Sequence, residues 1–260
     1  MSGHEHHGGG GGSAIALPGS RTIALVGAPN AGKSSVFNLL TGLRAKTGNY
    51  PGVTVARSFG QLRGSKSLIE DLPGSYSLQP LSPDEQVVVD ALAGEFGEAP
   101  DALLLVVDAT TLRRSLSLVA DTLRLGLPTA LVLTMTDELA ARGGAVDTAG
   151  LSRALGIPVH AVVAHRGLGS DELRASLDTF DTWERPALLP PTEPEAVASW
   201  SAGVLSLAGY RAAGIDERTR RIDRVLLHPV FGVLTFFAVM FGFFQLIFTV
   251  AAPAQEAIEN

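Results

Sequence analysis

The chain has no cysteine. Disulfides, thiolate zinc sites and a cysteine nucleophile are therefore excluded, and the composition fits a reducing compartment. Charge is also scarce: 18% of the 260 residues are Asp, Glu, Lys or Arg, against 46% hydrophobic. A mostly disordered chain would show the reverse balance. The net charge is −6 and the pI is near 5.5, which speaks against non-specific nucleic-acid binding by the whole chain. Met1 to Gly12 has neither a basic start nor an apolar centre, so it does not read as a signal peptide. Aromatic residues are few, 6%, but unevenly placed: seven of the eleven Phe (231, 236, 237, 241, 243, 244, 248) lie within eighteen residues. With a mean hydropathy of +0.25, that cluster points to a globular body followed by a membrane-type segment.

Residues 1–20 hold His4, His6, His7 and a five-glycine run. They read as a flexible tail, or as a weak transition-metal site without defined partner ligands. From Arg21 onward, short apolar runs alternate with helical stretches. Strands are expected at Thr22–Gly27, Ala56–Leu62, Ser67–Asp71, Ala102–Val107, Ala130–Thr134 and Val159–Val163. Helices are expected at Lys33–Leu40, Pro83–Ala93, Leu112–Leu125, Ala149–Leu155 and Asp171–Thr179. This alternation predicts an α/β fold with a mostly parallel sheet and crossover helices. Four prolines (186, 190, 191, 194) mark a linker. Helices are expected again over Glu195–Tyr210 and Asp216–Leu227, too short for a core of their own and so packed on the first domain or beside the last helix. Val230–Ala252 is 23 residues without a charge, long enough as a helix to cross about 30 Å of hydrocarbon. Arg218, Arg220, Arg221 and Arg224 precede it and Glu256 and Glu259 follow it. The positive-inside tendency places the body on the cytoplasmic face. The expected division is thus a tail over 1–20, an α/β domain over 21–184, a helical coupling domain over 185–227, a membrane helix over 228–253 and a tail over 254–260.

Gly27-Ala28-Pro29-Asn30-Ala31-Gly32-Lys33-Ser34 fits G-x-x-x-x-G-K-[ST] in full, after an expected strand and before an expected helix. Gly27 and Gly32 let successive N–H groups turn toward phosphate oxygens. The helix start at Lys33-Ser34-Ser35 adds a positive dipole end. Lys33 brings charge to the β- and γ-phosphates and Ser34 a hydroxyl to Mg²⁺. Asp71 ends the next strand and supplies a second Mg²⁺ carboxylate, and Gly74 offers a backbone N–H to a γ-phosphate. Between them lies the Gly- and Pro-rich loop 47–54, whose Thr54 hydroxyl is the candidate to reach Mg²⁺ when the loop closes.

The stretches GAPNAGKSSVFNLLTG (27–42), TGNYPGVTV (47–55), DLPGSYSL (71–78), SPDEQVVVDAL (82–92), VVDATTLRRSLSL (106–118) and the run over 221–253 resemble the cytoplasmic GTPase domain of the bacterial ferrous-iron transporter FeoB. The resemblance spans about residues 21–253. It implies a Ras-like GTPase domain, a small helical domain that favours the GDP-bound state, and an approach to the first membrane span. It also implies GTP or GDP with Mg²⁺, an inner-membrane location, and the lipid bilayer and an iron-permeating membrane domain as partners, with homo-oligomers open. The span itself offers only Met240 and Gln245, with His228 at its edge, so the chain reads as a regulatory fragment.

Three departures stand out. The family's Asn-x-x-Asp guanine motif is Thr134-Met135-Thr136-Asp137 here: Asp137 keeps the carboxylate for the guanine N1–H and amine, and Thr134 lacks the carboxamide. The Ser-Ala motif near the base falls at Val163-Ala164, without its hydroxyl. Each unmatched hydrogen bond costs about 1–3 kcal/mol if buried, so weakened guanine preference is expected and Thr134→Asn should tighten GDP binding roughly tenfold. The position that often carries a water-orienting Gln is Ser75. Relatives without that Gln use backbone groups, and some use K⁺ near the Asn of the Pro-Asn pair, which makes Asn30 the candidate K⁺ ligand; the alternative is that Asn30 fixes the loop. Slow hydrolysis is expected. Two other functions fit less of the chain: a nucleotide-sensing module with little turnover, and a GTPase acting on RNA or ribosomes, which the acidic charge and the apolar run disfavour.

Overall fold

The computed structural model describes residues 21–42, 45–50, 53, 55–80, 82–214 and 226–251. Thr54, most of the second expected coupling helix (216–225), the four arginines before the apolar run and both expected tails lie outside these residues. The chain divides into two compact units, Met1–Ala213 and Gly214–Asn260.

In the first unit a seven-stranded sheet has the order β2-β3-β4-β1-β5-β6-β7. Its strands are β1 Thr22–Gly27, β2 Ala45–Asn49, β3 Ala56–Gln61, β4 Leu68–Asp71, β5 Ala102–Asp108, β6 Thr129–Thr134 and β7 Val159–Ala161. β4, β1, β5, β6 and β7 pair in parallel, and β2 and β3 join antiparallel at one edge. The helices are α1 Lys33–Thr41, α2 Pro83–Ala93, α3 Leu112–Arg124, α4 Thr136–Ala141, α5 Thr148–Leu155, α6 Ser170–Asp178 and α7 Pro194–Leu207.

The sheet has a core on each face, and strand alternation assigns every central side chain to one of them. Ile23, Leu25, Leu104, Val106, Ala130 and Val132 face α1 and α6, joining Val36, Leu40, Leu173 and Phe180. Ala24, Val26, Leu103, Leu105, Leu131 and Leu133 face α2, α3 and α5, joining Val88, Leu116, Val119 and Leu151. α3 presents Leu112, Leu116, Val119 and Leu123, all buried, at helical spacing. Val204 and Leu205 of α7 are buried in that same cluster, so this helix packs on the first unit as the sequence anticipates for a segment without its own core.

Local signals explain most boundaries. α2 starts at a Ser82 cap that accepts from the Glu85 N–H at 3.3 Å, has Pro83 in its first turn and stops at Gly94 with φ 81°. Residues 47–49, expected to open the loop 47–54, instead belong to β2, held by its antiparallel pairing with β3. β7 ends at Ala161, two residues before expectation, because Val163 turns to bridge Leu168. α4 was not anticipated.

The second unit contains α8, Phe231–Leu246, which continues as a π-turn over Ile247–Ala251. His228 caps it: Nδ1 accepts from the Val230 N–H at 3.2 Å. Phe231–Thr249 is long and apolar enough to cross a membrane, and none of it is buried in the protein.

Candidate functional site

The parallel strands end together at one edge of the sheet, where α/β folds place ligands. Gly27, Asp71, Asp108 and Thr134 are the last residues of β1, β4, β5 and β6. The turn from β1 into α1 is the phosphate loop of the sequence. Gly32 caps α1 with φ 84°, a conformation that favours glycine. Asn30 and Met135, at φ 63° and 53°, are the non-glycine residues with positive φ among those described. Both lie in loops of this edge, where unusual backbone conformations tend to gather. The Ala31 N–H donates to the Ala28 carbonyl at 3.2 Å, and the Val36 N–H reaches back to the Gly32 carbonyl at 3.0 Å. Lys33, Ser34 and Ser35 form the first turn of α1, whose N–H groups have no partner within the helix. Ser34 and Ser35 are exposed to solvent, as are Pro29 and Asn30.

Lys33 folds across to β4. Its Nζ donates to Asp71 Oδ1 at 2.5 Å and to the Leu72 carbonyl. The two side chains are only 10% and 14% exposed. The candidate charge for phosphate and the candidate carboxylate for Mg²⁺ therefore meet in a shielded position. Gly74 lies against the phosphate loop, and a Cβ there would stand 3.0 Å from Pro29 Cα and N. No side chain fits without moving one loop.

Ser75 is buried at 1% exposure. Its N–H donates to the Gly27 carbonyl at 3.1 Å, and its hydroxyl donates to the Ser77 carbonyl. The group standing where a water-orienting Gln is common is thus committed to its own backbone. Upstream, Tyr50 is buried, and its hydroxyl donates to Glu70 Oε1 at 2.8 Å. Arg57 Nε donates to the same oxygen at 2.7 Å. Burial, and then the Glu70 carboxylate, push the Tyr50 phenol far above its ordinary value, so it stays a donor. The start of the loop expected to carry Thr54 is thereby pinned beside Asp71.

At the other end, Thr134 is buried at 4% exposure. Its hydroxyl donates to the Ala31 carbonyl at 2.7 Å and lies 3.2 Å from that of Val107. A hydroxyl has one proton, so this side chain serves the phosphate loop. Asp137 lies in the first turn of α4. Val163 and Ala164 begin a short turn over 164–166, where the Arg166 N–H donates to the Val163 carbonyl at 3.0 Å. His165, which the sequence pattern did not single out, brings Nε2 to 3.8 Å from Asp137 Oδ2. Its adjacency to Ala164 was the available signal. A cavity of about 250 Å³ flanks the phosphate loop on the α3 side, lined by Pro29, Asn30, Tyr76, Asp108 and Arg114 among others. Lys33, Ser34 and Asp137 do not line it, so it lies beside the path between them. Among the described residues no cluster of three or more His, Cys, Asp or Glu is arranged to hold a metal ion.

The sequence profile described as ferrous iron transport protein B matches residues 21–177. The Fe(2+) transporter FeoB of Synechocystis sp. is 33% identical over 248 residues, covering 92% of this chain. The chain spans 40% of that relative's length. A variant of S. thermophilus NFeoB bound to GDP superposes with a TM-score of 0.60 at 38% identity, covering 69% of this chain and 68% of that one. S. thermophilus NFeoB bound to GDP.AlF4- and K+ gives a TM-score of 0.56 at 40% identity, covering 66% and 67%. The matched segment runs from β1 through most of α6 and holds the phosphate loop, the Asp71 strand end and the Asp137 loop in one continuous stretch, and on that match the chain belongs to the ferrous iron transport protein B family.

Proposed function

We propose that the chain binds GTP and GDP with Mg²⁺, hydrolyses GTP slowly, and serves as the nucleotide switch of a membrane ferrous-iron transporter. The observation that carries this reading is the buried meeting of Lys33 and Asp71 at 2.5 Å, which sets a phosphate-binding cation and a metal-binding carboxylate at one point of the sheet edge. The GDP-bound relatives support the choice of nucleotide.

The roles follow from chemistry. The backbone of Gly27, Ala28, Pro29, Asn30, Ala31 and Gly32 wraps the phosphates, and the α1 N-terminus with Lys33, Ser34 and Ser35 supplies N–H groups and charge. Phosphate entry draws Lys33 from Asp71 toward the β- and γ-oxygens. Mg²⁺ fits the donors available: the Asp71 carboxylate, the exposed Ser34 hydroxyl, the Thr54 hydroxyl (outside the described residues) and the nucleotide's own oxygens, a set this hard cation prefers. When bound it neutralises charge on the β,γ-oxygens. Gly74 brings a backbone N–H to the γ-phosphate side. Asp137 reads guanine, Thr134 steadies the phosphate loop, and Val163 and Ala164 border the base. Asn30 is the proposed K⁺ ligand, by analogy with the relative that holds K+. The 185–227 segment couples the switch to α8, which crosses the inner membrane with the GTPase body on its cytoplasmic side, and beyond which the iron-permeating domain is expected.

Steady-state phosphate release by the full chain in detergent, with Lys33→Ala alongside, tests this. Release should be guanine-selective and should collapse in the variant; unchanged release in Lys33→Ala, or ATP binding as well as GTP, overturns it. A nucleotide sensor with little turnover is the second reading, favoured by the Ser75 hydroxyl being committed to Ser77. It predicts tight GDP binding with no measurable release.

A further inference from the structure

The segment after Gly74 connects to distant parts of the first unit through an unbroken series of hydrogen bonds. It begins at the phosphate loop, where Ser75 N–H donates to the Gly27 carbonyl at 3.1 Å. The Ser75 hydroxyl donates to the Ser77 carbonyl and accepts from the Ser77 N–H at 3.3 Å. The Ser77 hydroxyl then donates to Asp121 Oδ2 on α3 at 3.0 Å, and the Leu78 N–H donates to that same oxygen at 3.1 Å. The other carboxylate oxygen, Oδ1, accepts from Arg124 Nη2. Arg124 Nη1 donates to the Pro191 carbonyl, in the proline-rich stretch that leads into α7.

Two features make this more than a static staple. First, Asp121 is held from both sides, one oxygen each. Its side chain is 10% exposed and that of Arg124 is 21% exposed, so the charge-assisted bond is shielded and solvent replaces it poorly. Neither end can shift far without moving the carboxylate or breaking a bond. Second, Pro191 and Pro194 bracket the short stretch between the Arg124 contact and the first turn of α7. Only Thr192 and Glu193 separate the two prolines, so little chain is free to absorb a displacement at Pro191.

Resting on the nucleotide reading above, we infer that Asp121 is a positioning residue. It sets the Ser77–Leu78 segment that follows the phosphate-facing Gly74, and through Arg124 it passes the displacement of that segment to the linker ahead of α7. The nucleotide state is thus felt at the start of the coupling region through two side chains of α3.

Amide hydrogen exchange on the full chain in detergent micelles, with GDP and then with a non-hydrolysable GTP analogue, tests this. In the unmodified chain, peptides over 75–79 and over 187–193 should both change protection between the two nucleotides. Arg124→Gln leaves the bonds from Ser77 and Leu78 to Asp121 in place, so it should keep the first response and lose the second. Arg124→Lys, which keeps the charge without the two-pronged donor, should do the same with a smaller effect on thermal stability. Asp121→Asn should lose the second response and shrink the first. The relay is overturned if 187–193 still responds in the Arg124 variants, or if 75–79 responds and 187–193 never does. If neither segment of the unmodified chain responds although calorimetry shows the nucleotide bound, the relay fails; if no nucleotide binds, the nucleotide reading fails instead.

Discussion

The two halves of the candidate cleft are built differently. The phosphate half combines backbone, with Gly32 in a left-handed turn and Gly74 packed on Pro29, and a shielded side-chain pair, Lys33 with Asp71. The base half relies on side chains that water reaches. Asp137 is 34% exposed, its neighbour His165 68%, and Thr134 is turned away toward Ala31. Preformed backbone donors need no reorganisation when an anion arrives, whereas exposed polar groups exchange water for ligand at small net gain. The phosphates should supply most of the affinity, and the base comparatively modest selectivity.

That contrast can be broken most directly at Asp71. Asp71→Ala leaves Lys33 without its buried anion, and severing such a pair costs about 3–5 kcal/mol. Thermal unfolding without nucleotide should show a large drop, and GDP binding should lose its Mg²⁺ dependence; an unchanged midpoint means the pair is not buried in solution. Next comes Asp137→Ala. It should weaken GDP by about tenfold or somewhat more, a hydrogen bond or two of free energy, and leave ADP binding unchanged in competition calorimetry. Equal losses for both nucleotides would erase the distinction between the halves. Thr134 sharpens it further. Thr134→Val orphans the Ala31 carbonyl at a cost of about 1 kcal/mol, and GDP and ADP should weaken equally, with Thr134→Ser restoring both. Thr134→Asn, expected from sequence to tighten GDP roughly tenfold, also removes the hydroxyl that bonds Ala31, so calorimetry should show a gain smaller than tenfold.

The smallest effect concerns pH. His160 on β7 lies in the strand that feeds the base half, and burial lowers its pKa below the ordinary 6.5, partly opposed by the Glu172 carboxylate. The unfolded chain then binds the proton more readily, so stability is complete above about pH 6.5 and falls as pH drops below it. Its Nε2 is buried without a hydrogen-bond partner. His160→Gln should flatten the decline in unfolding midpoint between pH 7 and 5, measured as a pH series against the unmodified chain.

Most of the fold was legible because its signals are local. β1 and α2 match their expected bounds, and β5, β6, α1, α3, α5 and α6 lie within a residue or so. Apolar runs mark the strands, and a Ser-Pro start and Gly stop mark α2. What escaped depends on partners. β2 reads Ala-Lys-Thr-Gly-Asn, without apolar alternation, and is a strand only because β3 lies beside it. α4 has six residues and one buried side chain, Leu139, too little for a periodic pattern. The turn at Gly32 and the start of α1 were legible because the glycine spacing before a helix is a local signal. The contacts of the base-side candidates and of α3 were not, since Asp137 with His165, Ser77 with Asp121 and Arg124 with Pro191 are pairs that only folding brings together.

The two-sided loading of the central strands has a mechanical consequence. β1, β5 and β6 are wedged between two cores and have no soft face, so the middle of the sheet behaves as a clamped plate. A plate held on both sides bends little, so a displacement at one edge reaches the packed helices on either face almost undamped. On the proposed reading, a shift at the carboxyl edge is passed to the layer of helices, where Asp121 is the carboxylate of α3 that bonds the 77–78 segment.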